Sequence, residues 1–557
     1  MKRYLLLCFV FLGFIQCFHK TETIHYTSIV TQSFTSKKSL NKDFKKNWYY
    51  KDIIEDSIPG ISLEKAYSTI LKNKNGIEVV VAVIDMPIDI NHEDLKNNIW
   101  VNKKEIPNNG IDDDQNGYID DIHGWNFLGN QKGETNKFVN YEYTRIIKKY
   151  DSIYKSPKNI LNDSVNYSLY LKAKQKYEDQ LIFAKEDSSY IEMVSTSKKE
   201  AENYLKKFLK TSEYNQEVLD SIKDKFPNDS ILKDKTLILK NFITYGFSNQ
   251  YILDYKLKAD QRLKKLLNLN YNDRKILGDN PNSLNDKNYG NNKVDSEIGF
   301  FDHGTLMAGM IASVRNNKLG TQGFSDKIKI MCLPVSSFGN EHDKDIALAI
   351  KYAVDNGAKV INMSIGKEFS LYKEWVFNAL KYADEHDVLI VSGGGNSSYN
   401  LNKFDHYYPN DNENNEKEVS KNFIKVGASS YLSNENLVAD FSNYGSYDID
   451  IFAPGVDGYS TTSLPQKYKF VFGGTSMSSA ITSGVAALLF SHFPNLKAID
   501  VKNVILDSGV EFTFNVKVPS ENKQKELSPF SELSKSGKVV NAYNALLLAE
   551  QVSKSKN

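Results

Sequence analysis

Ser476 is a candidate nucleophile by its setting. It lies in FGGTSMSSAITSGVAALL (472–489), after a Gly-Gly-Thr turn. From Met477 onward, apolar or small residues recur at 477, 480, 481, 484, 485, 488 and 489. That is one face of an α-helix, and Gly473 and Gly474 punctuate just before it. Ser476 is therefore placed at a helix N-terminus, where the first backbone N–H groups lack intrahelical partners and attract negative charge. Two readings stay open. Ser476 or Thr475 caps the helix, or Ser476 attacks a carbonyl whose oxyanion meets those N–H groups. The second reading requires a base and an acid elsewhere in the chain.

A base requires a histidine, and the chain has 9. FFDHGTLMAGMIAS (300–313) sets His303 at the opening of a stretch with Ala308, Gly309 and Ala312 on one side, a small-residue helix. The acid must hold the imidazole in one tautomer. Asp85 closes the apolar run GIEVVVAVID (76–85), where a buried charge must be paired or hydrogen-bonded. Asp, His, Ser is one of the chain orders in which a catalytic triad occurs.

The elements that must position these residues read as alternating strands and helices. Apolar runs at 76–85, 327–335, 358–366, 386–396 and 423–429 read as buried strands. Stretches 345–358 and 371–386 read as helices. The alternation predicts an α/β fold whose mostly parallel central sheet is covered on both faces. In such sheets active residues gather at the carboxyl ends of strands, where Asp85, Ser364 and Asn396 fall.

Four blocks in this order resemble the subtilases, the subtilisin-like serine proteases. They are VVVAVIDMPIDINHEDL (79–95), HGTLMAGMIAS (303–313), SGGGNSS (392–398) and GTSMSSAITSGVAALL (474–489). VINMSIG (360–366), FSNYGSYDIDIFAPG (441–455) and GKVVNAYNAL (537–546) support the match. The resemblance implies a three-layer subtilisin-like fold and a serine endopeptidase acting through an acyl-enzyme. It assigns Asp85 to orient the imidazole, His303 as base and then acid, Ser476 as nucleophile, and Asn396 as the side-chain oxyanion donor. Ser364, Ile365 and Gly366 match the strand that pairs with substrate backbone. Gly393, Gly394 and Gly395 match the opposite wall, whose glycines imply room for a large apolar residue before the cut bond. The departures are Met86-Pro87, where the family has Ser or Thr followed by Gly, Leu306 in place of a second histidine, and Ala480 in place of a proline.

The resemblance also implies calcium. Asp94 matches a family calcium ligand, and RNNKLGTQG (315–323) a calcium loop in which Asn317 gives a side-chain oxygen. GIDDDQNGYIDD (110–121) places Asp112, Asp114, Asn116 and Gly117 in a D-x-D-x-N-G opening. Its twelfth position is His123 rather than Glu, so Asp120 or Asp121 would have to substitute, or the run is a solvated acidic turn.

Bulk numbers narrow the partners. Lys plus Arg total 70 against 69 for Asp plus Glu, which gives no general drive toward nucleic acid or anionic membrane. The first 17 residues read as an export signal, basic at Lys2 and Arg3 and then apolar, and FIQC loosely matches a lipoprotein signal that would anchor Cys17. The expected location is the periplasm, the cell envelope or outside the cell, with membrane contact only through that anchor. The expected order is a signal (1–17), a polar tether (18–47), the first part of the catalytic domain (48–129), a helical insertion (130–295) and the second part (296–548). Protein or peptide substrates follow from the resemblance. The alternative is an inactive subtilase fold that serves as a binding or maturation partner. Oligomeric state is not legible.

Overall fold

The computed structural model describes residues 26–32, 41–209, 214–403, 407–412, 417–520 and 526–556. The signal-like stretch 1–17, including Cys17, lies outside the described residues.

The strands, in chain order, are β1 (Val30–Thr31), β2 (Val79–Asp85), β3 (Ile328–Pro334), β4 (Val360–Met363), β5 (Leu389–Gly393), β6 (Phe423–Ser429), β7 (Ile451–Pro454), β8 (Val456–Thr461), β9 (Tyr468–Gly473), β10 (Val510–Phe512), β11 (Asn515–Lys517), β12 (Leu527–Pro529) and β13 (Lys538–Val539). Nine of them form one sheet, in the order β1-β10-β13-β7-β6-β5-β4-β2-β3. The pairs from β7 to β3 are all parallel, and β10 with β13 is antiparallel. Such strands are apolar on both faces because both are covered. Along β2, Val81 and Val83 enter one core while Ala82 and Ile84 enter the other. Helices His303–Ala312 and Thr475–His492 lie in the first core, and Asp343–Asp355 and Lys373–Glu385 in the second. This is the three-layer α/β architecture, with a mostly parallel central sheet.

Register fixes the site. Asp85 lies opposite Pro334, Ile84 opposite Met363, and Met363 opposite Ser392. The carboxyl ends of β2, β4 and β5 therefore open at one level. The helix Thr475–His492 runs through the first core, so it is apolar nearly all round. Ile481, Val485, Leu488 and Leu489 are each buried, worth about 2 kcal/mol apiece. Its buried hydroxyls are satisfied: Ser478 donates to Ala453 O (3.0 Å), Thr482 to Ser478 O (2.8 Å) and Ser483 to Asn362 Oδ1 (3.1 Å).

The stretch 130–295 carries most of the remaining helix. Its longest helix, Ser164–Leu205, has 42 residues. Tyr170, Ala173 and Ala184 of that helix are buried against Glu142–Tyr150, with Tyr177 and Leu181 packed at the edge of the same cluster. Buried ion pairs join this stretch to the rest. Arg274 is bound by Asp279 (2.7 Å) and Asp345 (2.6 Å), and Lys344 by Asp279 (2.6 Å). In the stretch read as a tether, β1 pairs with β10 at the sheet edge, and Lys45 ion-pairs with Asp457 of β8 at 2.7 Å. Among the described residues no helix is long and apolar enough to cross a membrane.

Candidate active site

Asp85 ends β2 fully buried. Its Oδ1 accepts from His303 Nδ1 at 2.7 Å and from the Met86 N–H at 2.6 Å. Its Oδ2 is also buried and has no protein hydrogen-bond partner. Met86 and Pro87 bring no side-chain hydroxyl to that oxygen, the support the resemblance led one to look for. His303 begins its helix and is 34% exposed. With Nδ1–H held by Asp85, Nε2 is left as the acceptor, the tautomer a base requires. Burial pulls the imidazole pKa down, but the charge of Asp85 and its hydrogen bond outweigh burial and raise it above the ordinary 6.5.

The cap reading of Ser476 does not hold. The helix N-cap is Gly474, with no side-chain cap bond. Gly473 and Gly474 have φ of +127° and +153°. A Cβ on Gly473 would lie 2.1 Å from Gly455 O, so only glycine lets the chain pass there. Ser476 Oγ donates to Ser364 O at 3.3 Å rather than to His303. Thr475 instead serves Asn396, whose Oδ1 accepts from Thr475 N (2.9 Å) and Thr475 Oγ1 (3.0 Å). That leaves the Asn396 Nδ2 donor free to face the cleft. The point where Gly474 would carry a Cβ is 3.4 Å from Asn396 Nδ2 and 3.8 Å from Ser476 N. Two N–H donors thus flank one small space beside the Ser476 hydroxyl.

Asp85, His303, Asn396 and Ser476 line one cleft of about 230 Å³, together with Ser364, Ile365, Gly366, Gly393 and Gly395. Gly394 is turned away, its missing side chain facing Ile449 at 2.6 Å. The wall is not the bare slot that its glycines imply. A Cβ on Gly366 would lie 2.5 Å from the Tyr407 ring, and one on Gly395 2.6 Å from it. Tyr407 therefore occupies the room over both glycines. Ser336 and Glu341 also line the cleft. Sequence reasoning missed Tyr407, Ser336 and Glu341, because no local pattern marks a loop residue that folds onto a distant strand end.

The acidic run behaves similarly. Asp112 and Asp114 come together with Glu105, one carboxylate oxygen of each lying within 4.8 Å of the other two. Glu105 was not foreseen, since it precedes the motif. Asn116 is turned to Asp121, its Nδ2 donating at 2.9 Å. Asp120 takes the Asn109 and Gly110 N–H groups, and Asp121 the Tyr352 hydroxyl at 2.5 Å. Elsewhere, Asn317 Nδ2 donates to Asp94 Oδ1 at 2.6 Å, and Asp94 Oδ2 is buried without a protein partner. Burial raises the Asp94 pKa.

A sheet of this order, with an Asp–His pair and a serine at a helix start sharing one cleft, defines a subtilisin-like architecture. A sequence profile described as the subtilase family matches residues 76–531, and the chain belongs to that family. The cell wall-associated protease of Bacillus subtilis (strain 168) is 34% identical over 225 residues, covering 40% of this chain and 22% of that protein. The thermophilic serine proteinase of Bacillus sp. (strain AK1) is 34% identical over 206 residues, 36% of this chain and 46% of that one. Thermitase of Thermoactinomyces vulgaris is 33% identical over 190 residues, 34% of this chain and 61% of that one. The matches thus span less than two thirds of each of these relatives.

Proposed function

We propose that the protein is an exported serine endopeptidase that hydrolyses peptide bonds in proteins through Asp85, His303 and Ser476. The observation that carries this is the 2.7 Å Asp85–His303 bond in a cleft shared with Ser476 and the Asn396 donor. His303 takes the Ser476 proton as Oγ attacks the carbonyl, and returns it to the leaving amine. The oxyanion sits between Asn396 Nδ2 and Ser476 N–H. Ser364–Gly366 align the substrate backbone. Residues 48–129 and 296–548 form the catalytic domain, and 130–295 is an insertion within it.

The alternative, an inactive scaffold, is favoured by one observation, the Ser476–Ser364 hydrogen bond. That bond is a single one at 3.3 Å. Its net worth is about 1 kcal/mol, so rotation of the hydroxyl toward His303 is no barrier to chemistry. Labelling with a fluorophosphonate probe, beside Ser476→Ala, separates the readings. Labelling of the wild type alone supports the enzyme, and a folded wild type that does not label refutes it.

Asn396→Ala removes one of two oxyanion donors. The expected loss is about 10²–10³-fold in kcat with little change in KM, since the donor meets charge that exists only in the transition state. Steady-state kinetics on a peptide amide checks it. An equal effect on kcat and 1/KM would contradict the assignment.

Calcium is the cation we assign to the acidic loop. Glu105, Asp112 and Asp114 each offer a hard oxygen within 4.8 Å of the others, a spacing and donor type that suit calcium. Asp94, with its unpartnered Oδ2 beside Asn317, is a second oxygen site of the same kind. When bound, calcium holds these loops closed and takes no part in the peptide chemistry. At calcium about a hundredfold above Kd the bound ion adds about 2.7 kcal/mol to folding stability. A chelator is therefore expected to lower the melting temperature by several degrees, and Asp112→Asn with Asp114→Asn to remove most of that effect. An unchanged melting temperature argues against both loops.

A further inference from the structure

Glu341 is a carboxylate on the cleft wall for which the proposed chemistry has no use. It lies in the loop between β3 and the helix Asp343–Asp355, 7% exposed, and lines the cleft with His303 and Ser476. Its Oε1 accepts the Ser336 hydroxyl at 2.6 Å. The two nearby cations bind its backbone instead: Lys367 Nζ donates to Glu341 O at 2.7 Å and Arg145 Nη2 at 2.9 Å. Both are already committed. Lys367 Nζ is 2.7 Å from Asp343 and 3.4 Å from Glu142. Arg145 pairs with Glu142 and lies 3.6 Å from Asp273. Among the described residues, no Lys, Arg or His nitrogen ion-pairs with the Glu341 carboxylate.

A buried carboxylate without a direct ion pair is costly, and neighbours or a ligand usually offset it. Burial raises the Glu341 pKa above the ordinary carboxyl value, and the Ser336 hydrogen bond and the charges of Lys367 and Arg145 offset it only in part. Glu341 lines the cleft, and a substrate cation seated there would lie beside it. A single carboxylate with one hydroxyl is too few oxygens for a divalent ion, which takes six or more. It suits one ammonium or guanidinium group. The ring of Tyr407 lines the same cleft, and aromatic rings attract such cations.

We propose that Glu341 is a specificity-determining residue that receives a Lys or Arg side chain of the substrate. This rests on the reading of the cleft as a peptide-binding site. Cationic peptides are thereby selected over neutral isosteres of the same length. A substrate cation that reaches Glu341 pairs with a charge already desolvated, so discrimination is larger than at a solvated surface carboxylate.

The test separates recognition from turnover. Peptides that differ only by Lys or norleucine, scanned through each position flanking the cut bond, are titrated against Ser476→Ala. At one position the Lys peptide is expected to bind about tenfold tighter or better. Adding Glu341→Gln brings that ratio to about one, and Glu341→Lys reverses it in favour of a Glu peptide. Glu341→Met, close in shape, serves if the Gln variant does not fold. Equal affinities at every position of Ser476→Ala, or a ratio untouched by the Glu341 variants, overturns the proposal. Loss of the protease reading is seen separately, as wild-type protein that hydrolyses none of the peptides while the binding ratio still decides the role of Glu341.

Discussion

Ser476→Ala is expected to lower peptide hydrolysis by about 10⁶-fold, the scale of effect when a triad nucleophile is removed. The variant keeps the Asn396 donor and the substrate-aligning strand, so a weak residue of catalysis over water, about 10³–10⁴-fold, remains. Stability should hardly move. Ser476 does not cap its helix, because the N-cap is Gly474. Its one side-chain hydrogen bond, to Ser364 O at 3.3 Å, is worth about 1 kcal/mol or less. The packing that fixes the helix comes from Ile481 and Val485 onward, far from the change. Activity and melting are therefore expected to separate cleanly. The two measurements are amide hydrolysis and a thermal melt on the same preparation. If the variant cleaves as fast as the wild type, Ser476 is not the nucleophile. If it loses activity together with its fold, the loss says nothing about chemistry. The reverse case is informative too: a variant that melts as the wild type but no longer reacts with a fluorophosphonate assigns the nucleophile even before a natural substrate is known.

What the sequence made legible was what local physics marks. The run ending in Asp85 is apolar on both faces, and β2 is buried on both faces. The helix at 475–492 follows its apolar spacing, and the expected helices at 345–358 and 371–386 appear as Asp343–Asp355 and Lys373–Glu385. The strand expected over 386–396 stops at Gly393, because Gly395 takes a φ of +101° as the chain turns into the Asn396 loop. Residues whose role comes from long-range folding were not legible. Tyr407 reaches Gly366 and Gly395 from a separate loop, and Glu341 lines the cleft with its backbone carbonyl held by Arg145 and Lys367. One of those two, Arg145, lies in the stretch read as an insertion. The helix Glu142–Tyr150 thus touches the cleft wall through Glu341, a connection no periodicity could show. Glu105 joins Asp112 and Asp114 by the same logic, from outside the motif that drew attention to them.

Asp85→Asn is expected to cost about 10⁴-fold in kcat/KM and to shift its pH dependence. The base must be neutral to accept the Ser476 proton, so activity falls as pH drops through the His303 pKa. In the wild type that pKa lies above the ordinary 6.5, since the Asp85 charge and hydrogen bond outweigh burial. The asparagine keeps the size of the side chain and loses the charge. Burial then acts unopposed by that charge, and the acid limb of the profile moves to lower pH while the plateau drops. The local geometry sharpens the effect. Asp85 Oδ1 takes N–H groups from both Met86 and His303, at 2.6 and 2.7 Å. An amide that keeps its oxygen there must bury its NH₂ at the Oδ2 position, which is closed to water and takes no hydrogen bond from the protein. An amide turned the other way points N–H at His303 and at Met86 N–H alike, and holds the imidazole in the tautomer that cannot act as base. Either placement loses stabilisation of the imidazolium in the transition state. The check is kcat/KM from about pH 5 to 9 for both proteins. An unchanged plateau, or an acid limb that moves to higher pH, removes Asp85 from the triad. The orphaned Oδ2 gives a further handle. Met86→Ser brings a hydroxyl next to Asp85, and a hydrogen bond from it to the carboxylate would stabilise the charged acid and the orientation of His303 with it. Activity that rises in that variant, in the presence of an otherwise unchanged site, would show that the Met86-Pro87 pair holds the enzyme below the rate its triad geometry permits.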